Sequence, residues 1–136
     1  MTLTPVKTPI IAKKMFPNYV WDITTTEKVI YLTFDDGPTP EITNWTLAIL
    51  KQYNAKATFF CIGNNIEKYP EIFKKTLNGG HAIGNHTQNH IKGLKTKAKD
   101  YLINISEAQK VIDSQNQELA ITNLFRPPYG QITPKQ

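Results

Sequence analysis

Short apolar runs and longer apolar stripes alternate along this chain. Residues 29–32 form a run rich in β-branched and aromatic side chains, which predicts a strand buried on both faces. Residues 57–61, 81–85 and 121–125 predict three more strands. Between the first two, Ile42, Trp45, Thr46, Ile49 and Tyr53 recur at helical spacing. Thr39 suits the N-cap of that helix, Pro40 its first position and Glu41 its first turn. Gly63, Asn64 and Asn65 predict a loop, and residues 70–77 a short helix that Gly79 and Gly80 end. Residues 97–116 predict the longest helix, with Ala98, Tyr101, Leu102, Ile105, Ala108, Val111 and Ile112 as its apolar stripe. Strand–helix alternation of this kind implies right-handed crossovers and a parallel sheet in the α/β class. Residues 1–28 carry Pro5, Pro9 and Pro17 and no clear period. They predict an arm that packs on a domain of residues 29–136 through Met15, Phe16, Tyr19, Val20 and Trp21.

Composition narrows the picture. The chain has 136 residues, 40% hydrophobic and 20% charged, which suits one globular domain. Its net charge of +5 comes from scattered lysines, with a mild cluster at Lys92, Lys95, Lys97 and Lys99. No nucleic-acid module accompanies that cluster, so no nucleic-acid partner is expected. Cys61 is the single cysteine, which leaves no intrachain disulfide. It lies in an apolar run and reads as a buried structural thiol. No stretch reaches membrane-spanning length, and residues 1–18 lack the continuous apolar run of a signal peptide. The compartment stays open, since a targeting segment can lie outside this sequence.

The chemistry gathers at strand ends. Asp35 and Asp36 follow the first strand in Thr-Phe-Asp-Asp-Gly-Pro. His86 and His90 follow the third in His-Thr-Gln-Asn-His, and Arg126 and Tyr129 the fourth in Arg-Pro-Pro-Tyr-Gly. In parallel α/β sheets the C-terminal strand ends converge on one mouth. Two adjacent carboxylates there are costly without a partner; a metal, a base role or a solvated turn each accounts for them. Two histidines four apart on a helical turn share a face and can share one ion. An acid from a neighbouring strand completes a three-ligand set with an open position, as in catalytic zinc sites. His81 has no partner at useful spacing and reads as structural.

Together these three motifs resemble the NodB homology domain of the polysaccharide deacetylases, carbohydrate esterase family 4. The Gly-Gly-His-Ala-Ile-Gly-Asn segment at 79–85 and Ala-Thr-Phe-Phe at 57–60 are similar to that family as well. The resemblance implies a distorted (β/α) barrel, of which this chain would hold about the first four β/α units. It implies metal-dependent removal of acetyl groups from N-acetylglucosamine polymers such as peptidoglycan or chitin. By the same resemblance Asp35 is the general base, and Asp36, His86 and His90 hold the metal. Thr87 braces their loop, Arg126 orients the base, and the Tyr129 N–H stabilises the oxyanion. Zinc is the default ion, with cobalt or nickel open. The chemistry agrees: zinc lowers the pKa of water from about 15.7 to about 7, and a carboxylate beside it takes the proton.

The family's two later motifs, an aspartate–tryptophan segment behind the arginine and a leucine–x–histidine general acid, have no counterpart before Gln136. The chain is therefore expected to be truncated before its general acid and to lack activity alone. Its fourth strand should expose an edge and drive self-association. The alternative is a non-catalytic module that binds glycan or a partner. Members of this family are often extracellular or in the cell envelope.

Overall fold

The computed structural model describes residues 7–18, 20–115 and 121–136. The chain divides into two compact units, Met1–Ile30 and Tyr31–Gln136. In the first, helix α1 (Ile10–Met15) starts after Pro9, and the Trp21 indole donates to the Phe16 carbonyl at 2.9 Å. Lys13 pairs with Asp22. Within this unit Met15, Phe16 and Val20 are exposed. Tyr19 lies outside the described residues.

The second unit carries β1 (Leu32–Gly37), α2 (Ile42–Gln52), β2 (Ala57–Cys61), α3 (Gly63–Lys68), α4 (Pro70–Asn78), β3 (Ala82–Asn85), α5 (Ala98–Ser114) and β4 (Ile121–Phe125). The four strands form one parallel sheet in the order β1-β2-β3-β4. This is the expected α/β class, an open sheet consistent with an incomplete barrel. Among the described residues, β1 and β4 each have a strand neighbour on one side only. Phe34 and Phe59 stack at 5.1 Å and pack with Leu50, Ile66, Phe73, Leu77, Ile83 and Ile112 into one core between sheet and helices. No helix among the described residues is long and apolar enough to cross a membrane.

Several local expectations need correction. The first strand starts three residues late, at Leu32, and Val29, Ile30 and Tyr31 are exposed. Pairing begins only at Leu32 opposite Ala57, so residues 29–31 have no strand partner among the described residues. Thr39 does not cap α2; its N–H donates to the Thr43 hydroxyl at 2.9 Å, and the helix begins at Ile42. The face α2 buries is Thr43, Thr46 and Leu50, whereas Ile42, Trp45 and Tyr53 are exposed. Apolar side chains lie all around this helix, and contact with the core selects the face. The predicted loop at 63–65 is the first turn of α3. On α5 the buried stripe is Tyr101, Asn104, Ala108 and Ile112, with Leu102 exposed. Its expected end at Asn116 lies outside the described residues.

Candidate active site

The strand ends do meet. Successive strand residues face opposite sides of a sheet, so Asp35 and Asp36 would part company on a regular β1. A register shift between Asp35 and Gly37, with Asp36 at φ 67°, turns both toward the same mouth. Asp35 accepts from Arg126 Nη1 at 2.7 Å. Asp36 Oδ1 lies 3.4 Å from His86 Nε2 and 3.1 Å from His90 Nε2.

The histidines are not on a helical turn. Residues 86–90 form a loop in which Thr87 and His90 take positive φ, 68° and 52°. Spacing on a helix face therefore does not bring the rings together; buried amides do. Asn85 Oδ1 accepts from Thr87 N–H at 2.9 Å, and its amide donates to Ile105 O and Gln109 Oε1 of α5. Asn104 Oδ1, from α5, accepts from the N–H groups of Gln88 and Asn89 at 3.0 and 3.1 Å. On the other side, the N–H groups of Gly63 and Asn64 donate to Thr87 O and Gln88 O, both at 3.0 Å. A Cβ on Gly63 would come within 1.8 Å of Gln88 Oε1 and 3.1 Å of the Ala108 backbone, so glycine is needed where α3 meets this loop. The Thr87 hydroxyl, expected to brace the loop, is buried without a hydrogen-bond partner among the described residues. Asn85 and Asn104 do the bracing instead.

Asp36, His86 and His90 each offer one ligand atom, all within 4.8 Å of one another. Ligands about 2.0–2.2 Å from a tetrahedral zinc ion lie roughly 3.3–3.6 Å apart, so the two carboxylate–imidazole distances are close to what one ion needs. The tautomer fits too. His86 Nδ1 lies 2.6 Å from the Arg126 carbonyl, which can only accept, so Nδ1 carries the proton and Nε2 keeps its lone pair for a cation. His86 is buried and His90 half-buried, with ring centroids 5.1 Å apart.

Arg126 also donates to Thr33 Oγ1 at 3.0 Å, and its guanidinium lies 4.0 Å from the centre of the Phe60 ring. Tyr129 sits at φ 59°, ψ 12°, with its ring 4.7 Å from that of His90. Its N–H has no acceptor among the described residues. Asp36, Thr87, His90 and Tyr129 thus all hold left-handed backbone around one mouth, a conformation costing roughly 1–2 kcal/mol per non-glycine residue. Such clustering is typical of functional sites. A cavity of about 250 Å³ opens beside the carboxylates, lined by Phe34, Asp35, Asp36, Thr39, Thr43 and Phe59 among others.

Outside this mouth the remaining candidates are structural. His81 is buried at the opposite end of the sheet, where Nδ1 accepts from Ala57 N–H and the ring meets Phe59 edge-on. Burial, and then the charge of Lys56, lower its pKa below the usual value. Burial pushes the Cys61 thiol up to about 12, which rules it out as a nucleophile. A second cavity, about 560 Å³, lies beside His81, Lys51, Lys56 and Lys75, remote from the carboxylates. Lys51 and Lys75 sit in the last turns of α2 and α4, where helix C-termini attract cations without any ligand.

Known proteins resemble this chain in sequence and fold. The chain is 39% identical over 125 residues to a peptidoglycan-N-acetylglucosamine deacetylase of Bacillus cereus, covering 90% of this chain and 57% of that protein. It is 40% identical over 108 residues to a chitooligosaccharide deacetylase of Azorhizobium caulinodans, covering 79% and 51%. The solved structure of the peptidoglycan deacetylase PdaC from Bacillus subtilis superposes with a TM-score of 0.76 at 38% identity, covering 83% of this chain and 55% of that one. The chain thus spans about half the length of these relatives. The family model described as polysaccharide deacetylase matches residues 22–135, nearly the whole sequence, and with the fold and the three strand-end motifs it makes this chain a member of the polysaccharide deacetylase family.

Proposed function

We propose that this chain supplies the N-terminal half of the catalytic site of a metal-dependent hydrolase that removes N-acetyl groups from a glucosamine-containing polysaccharide. The observation that carries the reading is the convergence of Asp36, His86 and His90 beside the Asp35–Arg126 pair. Peptidoglycan is the first substrate to test and chitin oligomers the second, after the relatives' activities.

Asp36 Oδ1, His86 Nε2 and His90 Nε2 would hold the ion, with zinc the default for this donor set. When bound, it supplies Lewis acidity to a water molecule and to an amide carbonyl. The chain's own residues do the rest. Asp35 takes the proton from the attacking water. Arg126, paired with Asp35 at 2.7 Å, keeps that carboxylate aimed at the mouth. The Arg126 carbonyl holds His86 in the tautomer a ligand needs. Tyr129 N–H donates to the oxygen on which charge develops.

The test is a chimera joining residues 1–136 to the remainder of the Bacillus cereus relative. Acetate release from N-acetylglucosamine oligomers or peptidoglycan, abolished by a chelator and by Asp35→Asn, is the expected result. A chimera that folds and binds zinc yet releases no acetate from either substrate would overturn the reading in favour of a glycan- or partner-binding module.

A further inference from the structure

From the geometry of the sheet's inner face we infer that Phe60 is a positioning residue: its ring is the platform that lays the Arg126 guanidinium against Asp35, and Gly84 leaves the space in which that ring lies. The inference rests on the proposed function, because it assigns the platform to the site's base. Arg126 follows β4, whereas Asp35 is on β1, and β2 and β3 lie between them. Neighbouring strands are about 4.8 Å apart, so the side chain must cross two strands to reach the carboxylate. What it crosses is in register. Asp35 pairs with Phe60, and Phe60 pairs with Gly84. The guanidinium carbon lies 4.0 Å from the Phe60 ring centre, face-on contact for a cation and a ring. A Cβ on residue 84 would stand 2.5 and 2.6 Å from two ring atoms of Phe60, so any side chain there displaces the ring. Phe60 is itself buried, and its position is not free to wander. Four strands therefore contribute one layer each: Gly84 under Phe60, Phe60 under Arg126, and Arg126 against Asp35 and Thr33.

The bland alternative is that Phe60 merely fills space. Leucine fills comparable space without a π-face, so Phe60→Leu separates the two accounts, and Phe60→Tyr restores the face. The readout is NMR of the Arg126 side chain in the 136-residue chain. The expected wild-type signature is upfield ring-current shifts, contacts from Arg126 to the Phe60 ring, and separate Nη signals from hindered rotation. Phe60→Leu should lose all three and let the Nη signals merge, Phe60→Tyr should keep them, and zinc affinity should stay within twofold in both. In the chimera above, Phe60→Leu should lower kcat roughly tenfold with KM unchanged, between the exposed and the desolvated scale of a cation–π contact, as suits a guanidinium that is partly exposed. Absence of the signature in wild type, or its persistence in Phe60→Leu, overturns the inference. An inactive wild-type chimera speaks against the proposed function alone, since the NMR signature needs no turnover. Should Phe60→Leu not fold, the wild-type shifts and contacts still decide.

Discussion

Asn104→Leu tests what holds the histidine loop. Asn104 projects from the middle of the longest helix, is 6% exposed, and accepts two loop N–H groups on one oxygen. Leucine keeps the γ-branched shape, though it is bulkier, and removes the acceptor. Gln88 N–H retains a second partner, the Asn104 carbonyl at 3.1 Å, whereas Asn89 N–H loses its partner. Stranding a buried donor costs about 1–3 kcal/mol. Asn89 is exposed, so its share falls at the low end, and the weakened Gln88 bond adds to it. The sum is about 2 kcal/mol. For a domain of this size each kcal/mol moves Tm by roughly 4–8 °C, so thermal unfolding should shift down by about 10 °C. His90 follows Asn89 directly, so looseness there reaches the metal triad. Changes to groups that orient ligands typically cost about 10–100-fold in metal affinity. Calorimetric zinc titration beside circular dichroism melts measures both. Asn104→Asp keeps an acceptor oxygen and should recover most of the affinity. A Tm within 2 °C of wild type together with zinc affinity within about twofold would refute the claim that α5 organises the site.

The remaining expectations are briefer. Zinc should bind one ion per chain, and the His86→Ala, His90→Ala double variant should bind none; equal uptake by metal analysis of both proteins would remove the triad from consideration. In the chimera, Asp35→Asn should lower turnover by about 10²–10⁴-fold while zinc affinity holds, and near-normal acetate release would move the base elsewhere. His81 has a folded pKa below its ordinary 6.5, so the unfolded chain takes up the proton first as pH falls. Its contribution is therefore full above pH 6.5 and is lost as pH falls from there through the lowered folded value. His81→Gln should flatten the acid limb of Tm against pH, and an unchanged limb would contradict this. Expressed alone, the 136-residue chain should associate through its open β1 or β4 edge and release no acetate, because the described residues place no spare acid at the mouth; a monodisperse monomer in light scattering counts against the first claim, measurable turnover against the second.

How far sequence alone reaches depends on which force sets each feature. The α/β order, β2, β3 and β4 were readable because short runs such as Ala-Thr-Phe-Phe-Cys can be buried only as strands between helices. The edge strand was harder. Val29, Ile30 and Tyr31 have strong strand propensity, yet pairing decides where a strand begins, and the partner's first residue, Ala57, cannot be seen from the run itself. The α2 face was read only in part for a similar reason: Thr46 is buried as expected, but Ile42, Trp45 and Tyr53 outrank Thr43 in hydrophobicity and are exposed, because tertiary contact with Phe34 and Phe59 chooses the side that is buried.

At the site, the residues with chemistry were readable and the residues that aim them were not. Carboxylate, imidazole and guanidinium groups are conspicuous in a sequence because burying them needs a reason. Asparagines and glycines are not conspicuous, since each has many ordinary uses. One signal was present: Asn104 recurs at i+3 from Tyr101 and i−4 from Ala108, a polar side chain on an otherwise apolar stripe. A buried amide at such a position must find partners, and here they are the backbone of the histidine loop. The spacing of His86 and His90 predicted that the two rings come together, but for the wrong reason. A helix would present the rings by periodicity; the loop presents them through left-handed backbone at Thr87 and His90, stabilised from Asn85, Gly63 and Asn104. A helical turn holds its shape through its own backbone bonds, whereas this loop takes its backbone bonds from Asn85, Gly63 and Asn104. The geometry of the two histidines therefore depends on residues up to 27 positions away from them in sequence, from Gly63 on α3 to Asn104 on α5.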